Sequence, residues 1–140
     1  MIYYVDGSNS KLGNQILITD ISGNTLANLF FEQDLTNNDL EYLAIEVACG
    51  KAENNSTIYS DSKLCVNQVN GEYNVKEEKF LKYIKYIRTK LSEKNIKLKW
   101  VPREANLAGH TLEKKVKRGI RERKLKKNEV KNGNSNGSGN

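Results

Sequence analysis

The run Ile58-Tyr59-Ser60-Asp61-Ser62-Lys63-Leu64-Cys65-Val66-Asn67-Gln68-Val69-Asn70-Gly71 decides how this chain is read. It opens with a β-branched and aromatic segment, the composition of a strand. At Ser-Asp-Ser it breaks into a helix N-cap cluster, and Leu64, Cys65, Gln68 and Val69 continue at helical spacing. An acid at the seam between a buried strand and a helix stands at the strand's carboxyl end, where α/β sheets bind ligands. Asp61 is therefore either a helix cap or a functional carboxylate. This segment alone does not separate the two.

Upstream, Met1 to Val5 is apolar and aromatic and runs into Asp6-Gly7-Ser8, which reads as a first strand ending or bulging at the acid. Gln15 to Asp20 alternates as a second strand, Ser22-Gly23-Asn24 is a turn, and Thr25 to Glu32 reads as a third, giving an antiparallel meander. Thr36-Asn37-Asn38-Asp39 starts a helix, with capping side chains and an acid in the first turn. Leu40, Leu43, Ala44, Val47 and Ala48 form its apolar stripe, and the helix ends near Gly50. Glu41 lies beside that stripe, either as a solvated acid favoured by the helix dipole or as a second functional carboxylate.

Downstream, Asn70 to Asn74 is a turn. Lys76 to Lys94 is an amphipathic helix with Phe80, Ile84, Ile87 and Leu91 on one face. Ile96 to Val101 is a last strand, terminated by Pro102, and a final helix starts near Asn106. The order is β-β-β-α-β-α-α-β-α, with acids arriving at strand ends and in a helix's first turns.

The 140 residues suffice for one domain with one core. No apolar run approaches the ~20 residues of a membrane span, so no membrane partner is expected. Cys49 and Cys65 make neither a CxxC pair nor a His/Cys cluster, which argues against zinc and a disulfide framework and for a cytoplasmic setting. From Lys114 onward ten lysines and arginines face two glutamates, a local charge of +8 that leaves −2 on residues 1–113. Residues 1–113 thus read as the folded domain and 114–131 as a basic helical extension or tail toward a polyanion, its phosphates contacted by the tail, with Val116 and Ile120 able to extend the apolar stripe of the last helix. The Asn/Gly/Ser end, 132–140, has a composition that cannot bury a core and is expected to be disordered.

Three short segments then resemble a known family. Tyr-Val-Asp-Gly-Ser at 4–8, Thr-Asn-Asn-x-x-Glu-Tyr at 36–42 and Tyr-Ser-Asp-Ser at 59–62 are similar to the three carboxylate motifs of type 1 ribonuclease H. Val-Asn-Gln-Val-Asn-Gly-Glu-Tyr at 66–73 and Trp-Val-Pro-Arg-Glu-x-Asn at 100–106 resemble its variants without the basic helical protrusion. The resemblance implies an α/β ribonuclease H-like fold: a five-stranded mixed sheet, order 3-2-1-4-5, with helices on both faces. It also implies endonucleolytic hydrolysis of the RNA strand of an RNA/DNA hybrid, leaving 3′-hydroxyl and 5′-phosphate ends. Asp6, Glu41 and Asp61 become ligands of two Mg²⁺ or Mn²⁺ ions. Gly7, Ser8, Asn9, Thr36, Asn37, Asn38, Ser62 and Asn106 become nucleic-acid contacts, placed where the 2′-hydroxyl distinguishes RNA from DNA. A monomer is expected. The chemistry agrees with the residue types, since converging carboxylates repel unless cations lie among them, and hard oxygen donors suit Mg²⁺ or Mn²⁺.

The family usually has a fourth carboxylate where this chain has His110, its single histidine. A neutral imidazole also ligates divalent ions, so His110 is read as a metal ligand facing the acids from the helix start. The alternatives are a surface histidine or substitution by Glu113 one turn on. The loop histidine that many relatives use in product release is absent, and Arg103 or Glu104 occupies its region. Two rival functions stand beside cleavage of hybrids: a non-cleaving module that grips hybrid or double-stranded RNA, and a nuclease of the same fold acting on another substrate.

Overall fold

The computed structural model describes the backbone of residues 1–137 and the side chains of residues 1–129. Five strands form one sheet: β1 (Ile2–Ser10), β2 (Gly13–Thr19), β3 (Thr25–Phe31), β4 (Thr57–Ser60) and β5 (Lys97–Trp100). Their order is β3-β2-β1-β4-β5. β1 to β3 pair antiparallel, as short turns allow, whereas β4 joins β1 and β5 joins β4 in parallel through helical crossovers. The order 3-2-1-4-5 expected from the resemblance is the one observed.

The helices are α1 (Asn37–Lys51), α2 (Lys63–Val69), α3 (Glu78–Lys94) and α4 (Leu107–Gly137), with a 3₁₀ turn at Arg103–Ala105. Thr36 caps α1 through a capping box: its hydroxyl accepts from the Asp39 N–H while the Asp39 carboxylate accepts from the Thr36 N–H. Lys94, at the end of α3, donates its ammonium to the carbonyls of Cys49, Gly50 and Ala52 and so closes the carboxyl end of α1.

Alternation along β1 divides the molecule into two layers of packing. Tyr3 and Val5 point into the main core, with Ile16 and Ile18 of β2 beside them. α1 covers this face and is itself covered by α3. Two of its faces are therefore buried, which shifts its packing from the expected stripe. Leu40, Tyr42, Ala44, Ile45, Ala48 and Cys49 are buried, while Leu43 and Val47 are only half-buried. Tyr42 packs against the rings of Phe80 and Tyr83, at 5.0 and 5.5 Å, and donates its hydroxyl to Gln68. On the opposite face α4 crosses β1 and β2, and Leu17, Ala108 and Leu112 are buried outside the main core.

Two boundaries have consequences for the site. β1 does not end at Asp6; its pairing with β2 continues through Asp6↔Leu17 to Ser10↔Gly13. Its parallel pairing with β4 does end, at Val5↔Ser60. Asp6 is thus the first β1 residue past its parallel neighbour, and Asp61 is the first residue past β4. Second, the basic extension is continuous with α4. Gly119 packs on Leu12 in the β1–β2 turn, and the Arg123 guanidinium donates to the Lys11 carbonyl at 2.9 Å. The helix also takes in part of the Asn/Gly/Ser end of the chain; residues 138–140 lie outside the described residues.

Candidate active site

Three carboxylates meet beyond the carboxyl end of β4, beside the middle of β1. Asp6, Glu41 and Asp61 each offer an oxygen, and these atoms all lie within 4.8 Å of one another. The parallel register brings Asp6 and Asp61 side by side, because the step after Val5↔Ser60 places one acid against the other. Asp61 is not the cap of α2. Ser62 performs that role by accepting from the Cys65 N–H at 3.3 Å, so the Asp61 carboxylate is not spent on capping α2. Glu41 comes from the other side of the sheet. Gly7 lets α1 approach so closely that an added Cβ would sit 2.7 Å from Leu40 Cβ and 2.8 Å from the Leu40 carbonyl carbon. The residue after Leu40 is thereby brought to Asp6.

The electrostatics of the cluster are dominated by burial and by the acids' mutual repulsion. Burial, reinforced by the Asp61 charge, pushes the Asp6 carboxyl up to about 6, against the Glu41 hydrogen bond and the more distant Arg103, which pull it down. Burial and the neighbouring Asp6 raise Glu41 well above the ordinary carboxylate range. Glu41 Oε2 is sealed from solvent and has no hydrogen-bond partner among the described residues. A buried acceptor without a donor is costly, and a cation removes both that cost and the repulsion. The all-oxygen donor set fits a hard divalent ion such as Mg²⁺ or Mn²⁺.

A cleft of about 450 Å³ opens over this floor. Its walls include Gly7, Ser8, Asn9, Asn37, Asn38 and Ser62, six of the residues assigned to nucleic acid from the sequence, together with Arg103, Glu113 and Lys117. Asn9 ties two of these walls together, its N–H donating to Asn37 Oδ1 at 3.2 Å and its amide to the Leu35 carbonyl at 2.6 Å.

Three expected site residues are placed differently. Thr36 does not line the cleft, because its hydroxyl is committed to the capping box. Asn106 is fully buried and out of reach of a ligand. Its amide donates to the Val5 carbonyl at 2.9 Å and to Asp61 Oδ2 at 3.0 Å, and its Oδ1 accepts from the Ala108 N–H. It orients Asp61 and caps α4, rather than touching nucleic acid. His110, expected to face the acids, is exposed and lies outside the cleft lining, with Nε2 2.8 Å from the Glu104 carbonyl. The α4 residue that faces the acids is Gly109, where a Cβ would sit 3.4 Å from both Asp6 Oδ2 and Asp61 Oδ2. Lys117 as a wall residue was missed, because residues from Lys114 onward were read as a basic helical extension or tail outside the folded domain. The signal was helical spacing, since Gly109, Leu112, Glu113, Val116 and Lys117 repeat on one face.

The Reverse transcriptase-like family model matches residues 16–116. Among solved structures, LC11-RNase H1, isolated from compost by a metagenomic approach, is 28% identical with a TM-score of 0.63, covering 85% of this chain and 96% of that one. The same protein in complex with an RNA/DNA hybrid has a TM-score of 0.60 at 28% identity, covering 75% and 87%. The N-terminal RNase H domain of a Mycobacterium tuberculosis protein is 25% identical with a TM-score of 0.59, covering 79% and 93%. With motif order, strand order and the convergence of Asp6, Glu41 and Asp61 all in agreement, the chain belongs to the Reverse transcriptase-like family, in its type 1 ribonuclease H group.

Proposed function

We propose that this protein is an endonuclease that hydrolyses the RNA strand of RNA/DNA hybrids, using two divalent ions, Mg²⁺ or Mn²⁺, held by Asp6, Glu41 and Asp61. The observation that carries this reading is the meeting of those three carboxylates, from three elements, on the floor of one open cleft. When bound, the ions supply activation of the attacking water and stabilisation of the leaving oxygen. Water adds to phosphorus as the bond to the 3′ oxygen breaks, leaving 3′-hydroxyl and 5′-phosphate ends. The hybrid complex of LC11-RNase H1 supports the choice of substrate.

The chain's own residues position the substrate and the acids. Asn37 and Asn38, at the start of α1, and the backbone around Ser8 and Asn9 line the wall suited to reading a 2′-hydroxyl. Asn106 fixes the orientation of Asp61. Arg103 and Lys117 bring positive charge to the cleft for backbone phosphates. Beyond them α4 carries Arg121, Arg123, Lys124, Lys126 and Lys127, a basic arm that adds salt-sensitive affinity for a polyanion. The protein works as a monomer in this reading.

The test is hydrolysis of end-labelled hybrid, double-stranded RNA and double-stranded DNA, each with Mg²⁺ and with Mn²⁺. Cleavage confined to the RNA of the hybrid is the expected result. Binding of hybrid without cleavage in either metal would instead make this a gripping module, and preferential cutting of another duplex would give it a different substrate.

A further inference from the structure

The fourth position of the metal centre is where this chain departs from its family, and the structure offers a different residue for it. Gly109 is the α4 residue beside Asp6 and Asp61, and having no side chain it leaves the space above both carboxylates open. Side chains on an α-helix lean toward its N-terminus, so the residue four positions on covers the patch that a glycine leaves bare. That residue is Glu113, which lines the same cleft. His110 lies a third of a turn away from Gly109, outside the cleft lining and occupied by the Glu104 carbonyl. Glu41 Oε2, buried and without a partner among the described residues, points independently to a centre built for a cation.

The geometry points to Glu113, reaching back over Gly109, as the fourth protein ligand of the divalent-ion centre, with His110 serving only to tie the start of α4 to the 3₁₀ turn. This rests on the proposed metal-dependent function. It adds that Lys117 competes with the metal for Glu113. The Lys117 ammonium lies 3.0 Å from Glu113 Oε1, and both side chains are substantially exposed. A backbone phosphate entering the cleft draws Lys117 away and releases the carboxylate to the centre. Engagement of nucleic acid and completion of the ligand set are then coupled through one ion pair.

Trp100 provides a reporter that does not depend on cleavage. It is the single tryptophan, and its indole N–H donates to the Asp61 carbonyl at 3.1 Å. Mn²⁺ is titrated against its fluorescence in full-length wild type, Glu113→Gln, Glu113→Asp, Lys117→Met and His110→Ala, with melting curves to confirm folding. Glu113→Gln is expected to weaken Mn²⁺ binding about tenfold, Glu113→Asp less, and Lys117→Met to strengthen it severalfold, with His110→Ala equal to wild type. Unchanged binding in folded Glu113→Gln, or a loss in His110→Ala matching that expected of Glu113→Gln, overturns the assignment. Its failure is distinct from failure of the proposed function. A wild type that binds Mn²⁺ as described yet cuts no hybrid refutes the function alone, whereas one that cuts hybrid with Glu113→Gln binding normally refutes only this inference.

Discussion

Gly7 lies directly against the backbone of Leu40, so close that any Cβ would be 2.7 Å from Leu40 Cβ and 2.9 Å from its carbonyl oxygen. This contact joins β1 to α1 and brings Glu41 to Asp6, each acid being the immediate neighbour of one contact residue. Because backbone blocks the space, Gly7→Ala requires the helix to move. Overpacking of this kind costs about 1–3 kcal/mol. The variant is expected to melt several degrees lower and to lose far more cleavage than that destabilisation explains. Normal cleavage at a temperature where the variant is fully folded would show that the contact does not set the site.

The acid cluster makes metal-free stability depend on pH with a definite sign. The Asp6 carboxyl titrates near 3.8 in an unfolded chain and at about 6 when folded. Its protonated, repulsion-free form is present in both states below about pH 4, and stability is lost as pH rises through about 6, by on the order of 3 kcal/mol at most. Glu41, raised for the same reasons, acts in the same direction. In EDTA the protein is therefore expected to melt higher at pH 5 than at pH 7.5. Asp6→Asn is expected to raise the pH 7.5 melting temperature and flatten this dependence while abolishing cleavage. A lower melting temperature for Asp6→Asn in EDTA would identify Asp6 as a structural acceptor instead.

Where α4 is cut determines which of its two roles is lost. Ending the chain after Glu113 removes Lys117 from the cleft and the packing of Gly119 and Arg123 on the β1–β2 turn. That variant is expected both to melt lower and to bind hybrid weakly. Ending it after Lys124 keeps those contacts and removes Lys126, Lys127 and Lys131. Its melting temperature is expected to match the full chain. Its logarithmic salt slope should be shallower, by about 0.9 for each phosphate no longer contacted. An unchanged slope would show that the outer part of the helix does not touch the duplex.

Much of this was legible in the sequence because period and punctuation agreed. The strand-to-helix seam at Ser60-Asp61-Ser62 and the capping run Thr36 to Asp39 marked where elements change, and acids at those seams could be named. The sheet order, by contrast, came from the family resemblance, since pairing partners are not written in local pattern. Residues whose role depends on tertiary contact were misplaced. Asn106 reads as a polar loop residue, yet it is buried because Val5, Asp61 and Ala108 satisfy its amide. His110 was aligned to a ligand position, but the rotation of α4 turns Gly109, not its neighbour, toward the acids. The basic stretch, read as a helical extension or a tail because charge changes at Lys114, continues as helix, held by Gly119 and Arg123.

The most direct test of the central claim is the rate at which an end-labelled hybrid is cut in Mg²⁺ and in Mn²⁺ by wild type, Asp6→Asn, Glu41→Gln and Asp61→Asn, each confirmed folded. If the three carboxylates hold the ions together, each single substitution removes cleavage by about a thousandfold or more, and combining two costs little beyond one. A variant that loses any one of the three acids and still cuts hybrid at the wild-type rate would contradict the account.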